Sequence, residues 1–250
     1  MNRFFCDAWR ALLLVACPLT VQAGPPFVTD DPEPVPQGHW EVNHAFTGTH
    51  ALGETTAFLP QLDINYGAAA GVQLHVMPQA GYSATPGGQA YGAGNTEVGA
   101  KIRLTPATAS EEDWMVSVYP LHELSSGNAE RMLGPGAGST YLPLWVQTTR
   151  GRWTLYGGGG YWINPGAGRS NAWASGWVLL YRVNDRLQLG GEVFGERSPA
   201  PGERGFSGFN LGGSYGLGPS CSLLFSAGQG LSNVAQSNQG SFYLALQKTY

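Results

Sequence analysis

Charge is scarce in this chain. Only 12% of its 250 residues are Asp, Glu, Lys or Arg, about half the share of an ordinary soluble globular protein. Thirteen basic residues face 17 acidic ones, for a net charge of −4. That balance excludes nucleic acid as a partner, which needs clustered Lys and Arg. Cysteine is nearly absent: Cys6, Cys17 and Cys221 are all there are. The first two lie in a segment expected to be removed, so neither a disulfide framework nor a multi-cysteine metal centre can form. No apolar run reaches the length of about 18 residues that a membrane-spanning helix requires. The histidines His39, His44, His50, His75 and His122 offer no pair at metal-ligand spacing on one face, and they read as polar lumen or loop residues. No Gly-rich phosphate cradle follows a strand and opens a helix. The sequence implies no cofactor and no metal.

The N-terminus carries a targeting pattern. Arg3 and Arg10 supply positive charge, Ala11 to Thr20 is a short apolar run, and Val21-Gln22-Ala23 gives small residues at a cleavage site. Residues 1–23 therefore read as a secretory signal peptide. A lipoprotein signal that presents Cys17 is the alternative. Residues 24–37 hold five prolines (Pro25, Pro26, Pro32, Pro34 and Pro36), and a strand ladder tolerates few of them. This segment is expected to be a periplasmic leader or a plug for the barrel mouth.

From residue 38 to 250 the chain reads as about twelve short strands with alternating polarity. Trp40, Val42 and Phe46 alternate with Glu41, Asn43 and Thr47. Val98, Ala100, Ile102 and Leu104 alternate with Glu97, Lys101 and Arg103. The connections at 67–71, 105–112, 149–152, 183–186 and 216–219 look short. Those at 49–55, 83–94, 122–138, 163–172, 196–207 and 228–240 look mostly longer. Tight turns at one end and longer loops at the other characterise an outer-membrane β-barrel. The expected fold is all-β: an antiparallel transmembrane barrel of about twelve strands over 38–250. Its 37 glycines suit turns, bends and close strand packing.

Aromatic placement gives a second test. Trp40, Tyr66, Trp114, Trp153, Tyr181, Tyr215 and Tyr250 fall at the turn ends of their strands with the parity of the apolar face. They are the expected membrane-interface girdle, where amphipathic rings meet lipid headgroups. The last strand ends on Tyr250, in the manner of a signal for the barrel-assembly machinery. Outer-membrane lipid and that machinery are the expected partners, with a small-molecule solute in the lumen.

Inward parity assigns the candidate site. Glu97, Lys101, Arg103, Arg186 and Glu192 form a polar wall, while Tyr119, Tyr141, Trp145 and Tyr156 form an aromatic one. Two readings stand. The lumen is a slot in which rings stack on solute and Lys101, Arg103 and Arg186 attract an anionic group, or the large side chains merely fill a narrow barrel. Asp30, Asp31 and Glu33 are read as solvated in preference to calcium-binding. Gly212-Gly213-Ser214-Tyr215-Gly216 matches a nucleophile motif, but that motif needs a strand–turn–helix elbow and none follows here.

Four stretches resemble a known family: Pro26-Phe27-Val28-Thr29-Asp30-Asp31-Pro32, Gly38-His39-Trp40-Glu41-Val42, Leu59-Pro60-Gln61-Leu62 through Tyr66-Gly67, and Gly94-Asn95-Thr96-Glu97-Val98-Gly99-Ala100-Lys101. They resemble the outer-membrane transporter-like β-barrel family named for the meta-pathway of phenol degradation (MetA-pathway). The resemblance implies a barrel and passive uptake of small, aromatic or hydrophobic solutes, and it carries over no catalytic residue. The expected protein is not an enzyme, and loop 122–138 is expected to gate its mouth. A lipid-modifying outer-membrane enzyme, a non-conducting structural or binding barrel and a soluble secreted β-sandwich remain the alternatives.

Overall fold

The computed structural model describes residues 25–106, 110–131, 133–134, 136–165, 169–197 and 204–250. The signal segment 1–23 and the Cys17 alternative lie outside them. Twelve membrane-length strands run in order: β1 (Trp40–Ala51), β2 (Glu54–Ala69), β3 (Val72–Met77 and Gln79–Thr85), β4 (Gly88–Ala93 and Thr96–Arg103), β5 (Met115–Val118 and Leu121–Leu124), β6 (Ser139–Arg150), β7 (Trp153–Ile163), β8 (Ala172–Arg182), β9 (Leu187–Glu196), β10 (Phe206–Gly218), β11 (Cys221–Ser232) and β12 (Gly240–Thr249). Strands β3 and β5 are interrupted at prolines, Pro78 and Pro120, whose missing N–H leaves a gap in the ladder. Among the described residues the only helical pieces are single turns at Ala129–Arg131 and Val234–Ser237.

Each strand pairs antiparallel with its neighbour in sequence, and β1 closes the sheet on β12 from Glu41↔Thr249 to His50↔Gly240. The result is a closed antiparallel twelve-stranded transmembrane β-barrel. Closure satisfies every strand edge, the condition for a sheet in hydrocarbon.

Side-chain alternation then separates two faces. Leu144, Leu179, Val193, Leu211 and Leu244 on the outer wall are 45–64% exposed. Their neighbours Trp145, Val178, Glu192, Asn210 and Ala245 turn inward and are at most 5% exposed. The outside is thus apolar and the inside polar or aromatic, the reverse of a water-soluble protein. Two histidines break the outer pattern. His44 points outward between Val42 and Phe46 and is exposed, so it is not a lumen or loop residue as expected. His122 also faces outward, beside Thr140.

The loop lengths correct the expectation in one half of the barrel. The expected loops 49–55 and 83–94 shrink to two-residue connections at 52–53 and 86–87, because strands β1 to β4 extend through them. Leu52 and Gly53 both take left-handed φ angles, 52° and 74°. Such turns match the twist of the flanking strands. The glycine- and alanine-rich stretch Gly88–Ala93 carries little side-chain signal, yet its backbone pairs fully with Gln79–Thr85. In the second half the long loops stay long. Pro143 and Gly157 to Gly160 interrupt neither β6 nor β7, which pair continuously from Trp153↔Arg150 to Ile163↔Thr140.

An arginine at Leu244, midway along β12 on the outer wall, should lower stability in lipid vesicles by about 2–4 kcal/mol. Denaturant unfolding of the reconstituted barrel checks this. A midpoint equal to the parent's would mean that Leu244 does not face lipid.

Candidate functional site

The proline-rich leader occupies the lumen. Its prolines prevent it from joining the sheet, so lumen side chains satisfy its backbone instead. The Glu192 carboxylate accepts from the amides of Val28 at 3.1 Å and Thr29 at 2.5 Å, and from Asn210 Nδ2 at 2.7 Å. Gln73 Oε1 accepts from the Val35 amide at 2.9 Å. The Ser226 hydroxyl donates to the Pro26 carbonyl at 2.5 Å, and the Ser117 hydroxyl donates to that of Pro32. Phe27 packs against Tyr156, Val178 and Leu180. Two glycines make room for this segment: a side chain at Gly67 would collide with the Pro36 carbonyl, and one at Gly176 with the Thr29 hydroxyl.

One ion pair fixes the centre. Lys101 Nζ lies 3.1 Å from Asp30 Oδ1 and 3.7 Å from Asp31 Oδ1. It also sits 4.9 Å from the centre of the Tyr119 ring, within cation–π range. Burial pushes the Asp31 carboxyl above the ordinary carboxylate range, and Lys101 is the group that opposes this. Asp31 is therefore buried against Lys101, and Asp30 is partly exposed beside it, so the expected solvated cluster is instead engaged by the lumen. Among the described residues no cluster of His, Cys, Asp and Glu could hold a metal.

Beside the leader lies a hydrogen-bonded polar wall. Asp63 accepts from Asn43 at 3.0 Å and Asn65 at 2.7 Å. His75 stands between Asp63 at 3.2 Å and Glu97 at 3.1 Å. Opposite it stand aromatic rings. Tyr141 stacks on Trp162 with centroids 4.5 Å apart, and Trp145 meets Tyr141 edge-on at 6.4 Å. Leader, polar wall and aromatic wall enclose a cavity of about 410 Å³. Described parts of the connection between β5 and β6 fold toward the same end. Gly127 N donates to Asn95 Oδ1 at 2.8 Å, and Leu133 is buried close to Gly81.

Five of the nine expected site residues converge here, and four do not line the cavity. Tyr119, Tyr141, Trp145, Glu97 and Lys101 line the cavity. Glu192 is inward but engaged by the leader. Tyr156 is fully buried behind Phe27 and does not line the cavity. Arg103 turns to the turn end, bonding Thr105 Oγ1 at 3.2 Å and the Pro106 carbonyl at 2.9 Å. Arg186 is exposed in the turn between β8 and β9, and its amide donates to Asn184 Oδ1. Parity placed it inward, but the strand starts one residue later, at Leu187.

The expected girdle residues do face outward at the turn ends. Trp40, Trp114, Trp153, Tyr215 and Tyr250 are exposed, while Tyr66 and Tyr181 are tucked under Trp40 and Trp153 at 4.4 and 4.7 Å. Sequence reasoning missed a second outward set at the loop ends: Tyr91, Trp173 against Tyr161, and Phe242 against Phe46. The parity signal was present at Trp173 and Phe242. Tyr91 was hidden by the reading of 83–94 as a loop. Ser214 lies within the continuous strand β10, opposite Gln188 and Leu224, so no nucleophile elbow exists there.

No protein-family model matches the sequence, and no curated protein matches it. Solved structures do. The outer membrane channel of the COG4313 group from Pseudomonas putida F1 is similar over 88% of this chain and 98% of its own, with a TM-score of 0.69 and 13% identity. The NanC porin is similar over 84% of this chain and 98% of its own, with a TM-score of 0.57 and 8% identity. At such identities the likeness shows the fold: that of an outer-membrane barrel.

Replacing Lys101 with Met should loosen the leader, because it leaves two carboxylates without their cation. Breaking a buried ion pair costs about 3–5 kcal/mol. Hydrogen exchange at the Val28, Thr29 and Val35 amides should speed up accordingly, while exchange in β6 and β7 stays slow. Unchanged protection of those three amides would show that the ion pair does not hold the leader.

Proposed function

We propose that this chain is an outer-membrane channel for passive uptake of small aromatic or otherwise apolar solutes, with residues 25–36 as its plug. The observation that carries the reading is the cavity of about 410 Å³ with a ring-lined wall beside the docked leader. A space of that size suits a small organic molecule. Solute enters from the loop end, rests on Tyr141, Trp145 and Trp162, and passes when the leader shifts. The inward-folded connection 125–138 is the outer gate. The mechanism is facilitated diffusion, and no residue of the lumen is asked to do covalent chemistry.

Three further features support this reading. The apolar outer wall with aromatic residues at both ends fits residence in the outer membrane among its lipids. The C-terminal strand ending at Tyr250 fits delivery by the barrel-assembly machinery. The family-like stretches meet in pairs, where Asp30 of the first reaches Lys101 of the fourth and the Gly38 amide of the second donates to the Gly67 carbonyl of the third at 2.8 Å. Residues 1–23 serve in this reading as the export signal.

Planar-bilayer recording tests the plug. Deleting residues 25–36 should convert a nearly silent barrel into one with discrete, larger conductance steps. Equal conductance with and without the segment would remove the plug from the mechanism. The aromatic wall has its own test. Trp145→Ala should slow liposome uptake of a monoaromatic solute by about tenfold while sugar flux changes little, since a base- or ring-stacking contact is worth about 1–3 kcal/mol. Equal slowing of both would turn the rings into mere filler.

A further inference from the structure

The basic groups expected to draw an anion into the lumen are not available to one. Lys101 is held by Asp30 and Asp31. Arg103 is turned to the turn end, and Arg186 is in solvent. The cavity's carboxylates show the opposite imbalance. Asp63 and Glu97 share His75, and Glu33 lies against Gln147 and near Lys101 and Arg103. The Glu196 carboxylate has no hydrogen bond and no ion pair among the described residues. A carboxylate partly withdrawn from water gains from a nearby cation, and Glu196 is half-buried with none beside it among the described residues.

Its surroundings specify the ion. Glu196 is the last residue of β9 and faces the cavity between Ala174 of β8 and Phe206 of β10. Four rings border that end: the Tyr141–Trp162 stack and the edge-on pair Phe194–Phe206, whose centroids are 6.2 Å apart. Aromatic faces attract a cation most strongly where water is excluded. A metal ion would need several oxygen ligands, and a single carboxylate among rings does not provide them. An organic ammonium can pair with one carboxylate and lay the rest of its surface on aromatic faces. A second observation points to a missing occupant. The Tyr243 hydroxyl lines the cavity without a hydrogen-bond partner among the described residues, and its oxygen can accept from an ammonium. Buried polar groups are normally satisfied.

We infer that the cavity binds a small organic cation, an ammonium on an aromatic frame, with Glu196 as counter-ion and the Tyr141 and Trp162 rings as its cation–π surface. The inference rests on the reading of the lumen as a solute slot and names the class of solute.

The test uses three monoaromatic probes of nearly equal size: benzylamine, benzyl alcohol and benzoate. Their binding to the refolded chain in detergent is followed calorimetrically at neutral pH, where the amine is charged. Benzylamine should bind about tenfold tighter than benzyl alcohol, and benzoate most weakly. Glu196→Gln, an isosteric change, should bring benzylamine and benzyl alcohol to within about twofold of each other. Glu196→Asp should retain part of the preference and guards against misfolding of the first variant. If benzyl alcohol or benzoate binds as tightly as benzylamine, the inference is overturned while the aromatic slot stands. If benzylamine keeps its preference in Glu196→Gln, the assigned counter-ion is wrong. If none of the three binds, the slot and the inference fall together.

Discussion

The structure depends on one constraint: a backbone in hydrocarbon finds no water to bond. Every N–H and C=O of the spanning strands must be paired within the sheet, and a sheet satisfies its last edge only by closing. The pairing of β1 with β12 over ten residue pairs meets that demand. Closure then dictates the placement of side chains. Alternate residues must face lipid or lumen, the outer wall must be apolar, and the few charges of the sequence must be inside or at the ends.

Closure also creates a problem that side chains alone do not solve. Twelve strands enclose more space than the packed interior of an eight-stranded barrel. This chain fills part of it with its own N-terminal segment. The leader is suited to that task because its prolines keep it from competing for strand edges and fix it extended. Its carbonyls and remaining amides then face side chains of β3, β5, β9 and β11, and its two aspartates meet Lys101. Lys101 and Asp31 are both buried, and Asp30 is partly exposed, so the two carboxylates together offset the cost of burying the lysine. The space left beside the leader is the ring-lined cavity.

Much of this was legible in the residues. The period-two alternation around Glu97, Lys101 and Arg103 located β4 and its inward face, and the outward Trp and Tyr at the turn ends located one rim. Those signals are local, since parity follows from the pleat. Gly88–Ala93 was missed as a strand because its pairing is a backbone property with almost no side-chain pattern. Arg186 was misplaced because parity says nothing about where a strand begins. Tyr156 was rightly read as inward, but only the docked Phe27 explains why it meets protein and not open lumen.

By itself the sequence determined the class of fold, the number of strands and the division of side chains between lipid and lumen. Each of these comes from alternation along short segments and from the scarcity of charge. Only the tertiary structure decided which lumen groups are already neutralised and which face the cavity unpartnered. Asp30 and Lys101 are 71 positions apart, and Thr29 and Glu192 are 163 apart. Such pairings arise where a leader without periodic pattern docks into a closed barrel, so no local rule encodes them. The charge that remains in the lumen is what is left after that docking, with Glu196 among aromatic rings.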